Sequence, residues 1–109
     1  MTTERTPRAG KSSARRFLEE RAGGPLTFGA FLRAIREGEE ETLAQFATQL
    51  GVSRQNLCEI EQGRRSVSPA RAAEWARTLG HSEAQFVRLA LQDQVSQAGL
   101  NLRVTVEAA

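Results

Sequence analysis

Apolar residues recur along the chain at spacings that predict five helices. The first apolar face, over about residues 27–37, follows an i, i+3, i+4, i+7 pattern and consists of Phe28, Phe31, Leu32 and Ile35. Four further segments have apolar residues at helical spacing, and each follows a residue of a type that caps helix N-termini. These residues are Thr42, Ser53, Ser68 and Ser82. A glycine follows each of these four segments, as glycine commonly does at a helix end, at Gly51, Gly63, Gly80 and Gly99.

Two of the predicted helix starts carry a capping-box pattern, in which Ser or Thr is followed three residues later by Gln or Glu. The two pairs are Thr42 with Gln45 and Ser82 with Gln85. An acidic run, Glu39–Glu41, precedes Thr42 and lies at the positive end of the next helix dipole, where negative charge is favourable.

The C-terminal residues follow a different period. Apolar and polar residues alternate over residues 100–107, and the apolar ones are Leu100, Leu102, Val104 and Val106. A period of two predicts a short β-strand. A lone strand leaves its backbone groups unpaired, so we expect this segment to pair with a second copy of the chain or with another protein.

The pattern divides the chain into three parts. Residues 1–25 are polar and basic, and we expect a flexible arm in which Arg15–Arg21 has the composition of a short helix. Residues 26–98 hold the five predicted helices and form the domain. Residues 99–109 form the tail, for dimerisation or partner binding.

Composition and charge narrow the classes of function. The 109 residues carry a formal net charge of +2, and fourteen of the 15 basic residues are arginine. Arginine makes bidentate contacts with phosphate and guanine, although a GC-rich coding sequence would produce the same bias. The single cysteine and single histidine exclude a disulfide within the chain and a His/Cys metal cluster. We therefore expect no enzymatic activity, no cofactor and no metal. With neither a membrane span nor a secretory signal, a cytoplasmic location is expected.

The segment Thr42–Gln62 has the pattern of two helices joined by a tight turn. Gly51 suits the turn, while Ala47 and Val52 allow the helices to pack closely and Leu57 and Ile60 seat the second helix on the first. The outward positions of the second helix carry Arg54, Gln55, Asn56, Cys58, Glu59 and Gln62. Arginine, glutamine and asparagine recognise base edges in the major groove of double-stranded DNA, so the motif predicts a helix-turn-helix.

The stretch Leu26–Gly80, about half of the chain, resembles the phage repressor/Cro-like helix-turn-helix family, often called XRE. The matching segments are LRAIRE at Leu32–Glu37, LAQFATQLGVSRQNL at Leu43–Leu57, IEQGRR at Ile60–Arg65 and SPARAAEWARTLG at Ser68–Gly80. The resemblance implies an all-α, five-helix, lambda-repressor-like bundle. We expect the short C-terminal β-strand to be added to that bundle.

The resemblance also assigns roles to individual residues. It implies base contacts from Arg54, Gln55 and Glu59, and DNA-backbone contacts from Asn56, Arg64, Arg65 and Ser53. It further implies a structural ion pair between Arg36 and Glu61. The sequence departs from the family at Leu43, where a phosphate-contacting Gln is usual, and at Glu41, where an apolar residue is usual. Gln45 is the candidate that replaces the missing contact.

Three functions follow as hypotheses. The first is a transcriptional regulator, a repressor, that binds a two-fold operator as a homodimer. The second is an antitoxin that regulates its own operon and binds a small toxin protein through the C-terminal segment. The third is a helix-turn-helix domain reused as a protein-binding adaptor. The Arg, Gln and Asn side chains on the exposed face of the second helix of the motif argue against it.

Overall fold

The computed structural model describes residues 26–109, which form five α-helices in the order predicted from the pattern. The predicted basic arm and the short helix at Arg15–Arg21 lie outside the described residues. The helices are α1 (Phe28–Gly38), α2 (Leu43–Leu50), α3 (Arg54–Glu61), α4 (Pro69–Leu79) and α5 (Glu83–Gln97). None of the described helices combines the length and apolar character that a membrane span requires.

One apolar core joins all five helices. Its largest fully buried side chains are Trp75, Phe46, Phe86, Leu32, Leu57 and Leu89. The Phe28 ring stacks near Trp75, and its edge meets Phe86 at a centroid distance of 5.7 Å. The Trp75 indole N–H donates to the carbonyl of Leu50 over 3.2 Å, so the largest side chain of the core is also hydrogen-bonded. The core therefore joins α1 to α4 and α5, and it ties α4 to the end of α2.

The helix starts follow the predicted caps. Thr42 accepts from the backbone N–H of Gln45, and the Gln45 side chain accepts from the N–H of Thr42, which confirms the first capping box. Ser53, Ser68 and Ser82 each accept from the N–H three residues later. Satisfying these otherwise unpaired donors stabilises each helix start by about 1 kcal/mol.

Two contacts hold α1 against the helices around it. Gly29 is buried where α1 meets the end of α3, and a Cβ there would clash with the carbonyl oxygens of Ile60 and Glu61. At the N-terminus of α1, the N–H of Phe28 donates to the Asp93 carboxylate of α5 over 3.1 Å. Both contacts join residues far apart in the sequence.

The predicted C-terminal β-strand is absent from the described residues. Residues 100–109 have no regular secondary structure, because a strand needs a partner strand and a single copy of the chain provides none. The segment instead lies along α5. The Gln92 side-chain amide donates to the carbonyl of Leu102 and accepts from the N–H of Val104, both over 2.8 Å.

Candidate nucleic-acid interface

The turn between α2 and α3 sets how the two helices of the motif meet. Gly51 has φ +75° and closes α2, and the N–H of Val52 donates back to the carbonyl of Ala47 over 3.0 Å. This left-handed conformation is unfavourable for residues with a Cβ. Ala47 and Leu57 are buried at the junction, with Val52 partly buried beside them. The turn therefore presents α3 with one face on the core and the other outward.

The N-terminal end of α3 carries the exposed polar residues. Ser53 caps the helix by accepting from the N–H of Asn56 over 3.0 Å. Arg54 and Gln55 are exposed and Asn56 is half-buried. The N-terminus of a helix attracts anions because free N–H groups and the helix dipole point outward there. This end of α3 thus combines an electrostatic field that favours anions with side chains of the types that can hydrogen-bond to bases.

Glu59, one turn further along α3, is held by two neighbours. The Gln55 amide donates to one carboxylate oxygen over 3.1 Å, and Arg65 donates to the other through two nitrogens at 3.0 and 2.9 Å. The hydrogen bond from Gln55, followed by that from Arg65, lowers the pKa of Glu59. The predicted base-contacting residues Gln55 and Glu59 are therefore joined to each other and to the loop after α3.

A second glycine turn positions that loop. Gly63 has φ +80°, and the N–H of Arg64 donates to the carbonyl of Glu59 over 2.9 Å. Arg64 and Arg65 are both exposed. Within residues 26–109, Arg54 and Arg64 form no ion pair, so their charges are available to a ligand. The loop thus adds positive charge at the C-terminal end of α3.

The Arg36–Glu61 pair lies behind α3 rather than on its exposed face. Two guanidinium nitrogens of Arg36 donate to the two carboxylate oxygens of Glu61, at 2.8 and 3.1 Å, and a third donates to the carbonyl of Glu41. The side chains are 14% and 5% exposed. The hydrogen bond to Glu61 raises the pKa of Arg36 further above its ordinary value. The pair therefore anchors the end of α3 to α1.

The remaining predicted site residues have other partners or lie elsewhere. Gln45 and Ser53 use their side chains in helix caps, although both residues stay exposed. Leu43, which replaces the usual Gln, packs against the core. The tail follows α5 and lies along it, held by Gln92; its apolar residues are Leu100, Leu102, Val104 and Val106. Near the start of the tail, the Gln97 side chain accepts from the hydroxyl of Ser66, in the loop after α3.

Three residues that support the site were missed by the sequence reasoning. Gly29 allows α1 to approach the end of α3, Asp93 caps α1, and Gln92 holds the tail. The one available signal was Gly29, because a glycine inside an amphipathic helix is unfavourable unless close packing requires it. Asp93 and Gln92 gave no signal, since polar residues on the last turns of a helix are usually solvated.

Comparison with known proteins agrees with this geometry. The sequence matches a family described as "Helix-turn-helix domain" over residues 27–89, more than half of the chain. No curated protein and no solved structure matched significantly. The matched region contains α1, the motif, α4 and the first half of α5. The chain therefore belongs to the helix-turn-helix domain family, and α2, the Gly51 turn and α3 form its motif.

Proposed function

We propose that the chain is a sequence-specific transcriptional regulator that binds a two-fold DNA operator as a homodimer and represses by occluding that site. The observation that carries the proposal is the exposed N-terminal end of α3. Arg54 and Gln55 lie there on a helix that is capped at Ser53 and packed on α2. Side chains at this end of the second helix are the ones that enter the major groove in a helix-turn-helix.

Base recognition is assigned to Arg54 and Gln55, with Glu59 as a further contact. Arg54 suits guanine, which offers two acceptors, and Gln55 suits adenine, which offers one donor and one acceptor. Glu59 accepts from Gln55 and Arg65 in the free protein. To accept from a cytosine amino group it must exchange one of these partners, so its contact depends on how Arg65 moves on binding.

Backbone contacts are assigned to residues around the two ends of α3. Arg64 and Arg65 supply charge from the loop, and Asn56 and Ser53 lie at the first turn. Gln45 can contact phosphate only beside its capping role, because its amide oxygen already accepts from Thr42 while its amide nitrogen remains a donor. Phosphate contacts of this kind position the protein but carry no sequence information.

A homodimer supplies the contact area on DNA that a single motif lacks. Single recognition modules bury little surface on DNA, and two copies double both the surface and the number of bases contacted. In dimers of this class, the two half-sites lie one helical turn apart, about 34 Å. The exposed tail, which is held along α5 by Gln92, offers a surface for such a dimer.

The test is a fluorescence titration against the DNA upstream of the protein's own gene and against a scrambled duplex of equal length. Arg54→Ala should reduce discrimination between the two, by the roughly 1–3 kcal/mol that one good base contact provides. Arg64→Ala should weaken binding to both duplexes alike and lower the salt dependence by about one counterion per contact.

Arg77→Ala is the matched control. Arg77 is an exposed arginine of α4 that forms an ion pair with Glu83 at 3.3 Å. Its removal should change neither the discrimination between the two duplexes nor the affinity for DNA and its salt dependence. Equal affinity of the parent protein for the two duplexes would contradict sequence-specific binding. Absence of any salt-dependent affinity for DNA would instead favour the protein-adaptor hypothesis.

The exposed tail supports an antitoxin as a second candidate function. Leu100 and Leu102 are 52% and 62% exposed, and an extended segment with free backbone groups can add a strand to another protein's sheet. The candidate predicts that the product of an adjacent small toxin gene forms a complex with this chain. Co-expression and co-purification would test it, and failure to form a complex with that product would remove the candidate.

A further inference from the structure

The backbone of the tail has two different edges. In an extended segment, the N–H and C=O of one residue point to the same edge, and those of the next residue point to the opposite edge. Leu102 and Val104 have this geometry, since the carbonyl of Leu102 accepts from the Gln92 side-chain amide and the N–H of Val104 donates to the same amide. Exposure also alternates, with Val104 and Val106 half-buried between exposed neighbours. The edge that carries the backbone groups of Leu102 and Val104 therefore faces α5.

The opposite edge is free. It is formed by the backbone groups of Asn101, Arg103, Thr105 and Glu107. All four residues are exposed, and their N–H and C=O groups have no hydrogen-bond partner within residues 26–109. A row of N–H and C=O groups held at strand spacing is a template for pairing with another strand. Gln92 therefore hydrogen-bonds to one edge of the segment as a neighbouring strand would, and the backbone groups of the other edge remain available for pairing.

We propose that residues 100–108 form an antiparallel β-ribbon with the same residues of a second copy, with the two-fold axis at Val104. This register aligns all nine residues of the segment. Leu102 then lies opposite Val106 of the second copy, and Leu100 lies opposite its Ala108. Arg103 lies opposite Thr105 of the second copy and diagonal to its Glu107, within reach of a long side chain.

Apolar burial and charge favour this occupant and this register. Leu100 and Leu102 are the two exposed large hydrophobic residues of the described chain, and the ribbon places an apolar residue across from each. A register shifted to place the axis at Arg103 would put two arginines directly opposite each other, which is unfavourable. An isolated two-stranded ribbon is marginal in water, but here each strand is already held on its own α5 through Gln92.

The inference rests on the dimer in the proposed function, but it requires no DNA. The test uses the full chain in a Cys58→Ser background, so that an introduced cysteine is the only thiol. Val104→Cys should form a disulfide between two copies under mild oxidation, because residues facing each other in a non-hydrogen-bonded pair have Cα atoms about 4.5 Å apart. Arg103→Cys is the control, since its two copies would lie roughly 8–9 Å apart, beyond disulfide range.

Two proline variants test the same strand by solution mass. Thr105→Pro removes an N–H from the free edge, whereas Val106→Pro removes one from the edge that faces α5. The parent should have twice the 12.0 kDa mass of one chain. Thr105→Pro should raise the dimer dissociation constant at least tenfold, because the symmetric ribbon loses two hydrogen bonds, and Val106→Pro should raise it less.

Several results would overturn the inference. They are a monomeric parent protein, a dimer indifferent to Thr105→Pro, or crosslinking at Arg103→Cys that equals or exceeds that at Val104→Cys. A titration on operator DNA separates the two proposals. A parent that dimerises without the ribbon and still discriminates operator from scrambled DNA would overturn only the ribbon. A ribbon dimer that does not discriminate would overturn only the regulator.

Discussion

The Arg36–Glu61 pair shows how one polar contact orients α3. Its two charges are largely removed from water, at 14% and 5% side-chain exposure, and each satisfies the other through two hydrogen bonds. Such a pair adds little over an apolar contact of equal shape, yet removing one partner leaves a buried charge without compensation. The pair therefore makes the position of α3 sensitive to a residue of α1.

Glu61→Ala should lower the free energy of unfolding by about 3 kcal/mol, because Arg36 would keep a buried charge. Arg33→Ala is the matched control, since its i,i+4 pair with Glu37 is 60% and 54% exposed and should contribute about 0.5 kcal/mol or less. Urea unfolding of both variants measures the difference. Equal losses would contradict the role assigned to the buried pair.

At the scale of elements, the close approach of α1 to α3 depends on a missing side chain. A Cβ on Gly29 would lie 2.9 Å from the carbonyl oxygen of Glu61 and closer still to that of Ile60, and neither backbone oxygen can turn away. The end of α3 is thus packed directly on the backbone of α1. Side chains alone do not determine this spacing.

Gly29→Ala should destabilise the protein by about 1–3 kcal/mol, because the two helices must separate to admit the methyl group. Gly38→Ala should be neutral or slightly stabilising, since a Cβ there meets nothing within 4 Å and alanine favours the helix. Thermal unfolding compares the two variants. If Gly29→Ala proved as stable as Gly38→Ala, the packing described for α1 and α3 would be wrong.

The contact between α5 and the start of α1 makes stability depend on pH. Burial raises the pKa of Asp93, and the hydrogen bond from Phe28 opposes that rise. Because the folded chain holds this proton more tightly than the unfolded chain, the Asp93 contribution to stability is greatest below the ordinary aspartate pKa of about 3.9. It falls as pH rises through the raised pKa of the folded state.

Asp93→Asn should remove the pH-dependent contribution of Asp93 to stability, because an amide does not titrate. The side-chain oxygen of asparagine can still accept from the N–H of Phe28. The free energy of unfolding of the variant, minus that of the parent, should therefore increase with pH across this window. Urea unfolding at a series of pH values measures it. Glu74→Gln, at an exposed position on α4, is the matched control variant. A constant difference for Asp93→Asn would show that the carboxylate does not titrate as described.

At the scale of the whole molecule, the distance between the two α3 helices of the proposed dimer would determine which DNA it can bind. The proposed ribbon joins two copies through tails that begin beyond Gln97, near the loop that follows α3. Two-fold symmetry of the protein then requires two-fold symmetry of the operator, with half-sites on the same face of the duplex.

Inserting about 5 base pairs between the half-sites should reduce affinity to that of a single half-site, because half a helical turn moves the second half-site to the opposite face. The same insertion outside the half-sites should change nothing. Fluorescence titrations on the three duplexes measure the effect. An affinity independent of spacing would indicate that the two copies do not bind DNA as one rigid dimer.

Local physical signals in the sequence predicted most of the fold. Helical spacing, caps such as Thr42 with Gln45, and the glycine at position 51 each act within a few residues, so five helices and the motif were predicted correctly. The predicted strand was wrong for the single chain, although its period of two persists as alternating exposure. A strand depends on a partner, and the pattern of one segment contains no information about that partner.

What the sequence by itself determined is therefore the set of helices, the turn between α2 and α3, and the exposed residue types at the start of α3. The tertiary structure alone decided which distant residues meet. It brought Gly29 to the end of α3, Asp93 to the start of α1 and Gln92 to the tail. The physical reason is range, since caps and periodicity act within one helical turn, whereas these contacts arise only when the folded core brings separate helices together.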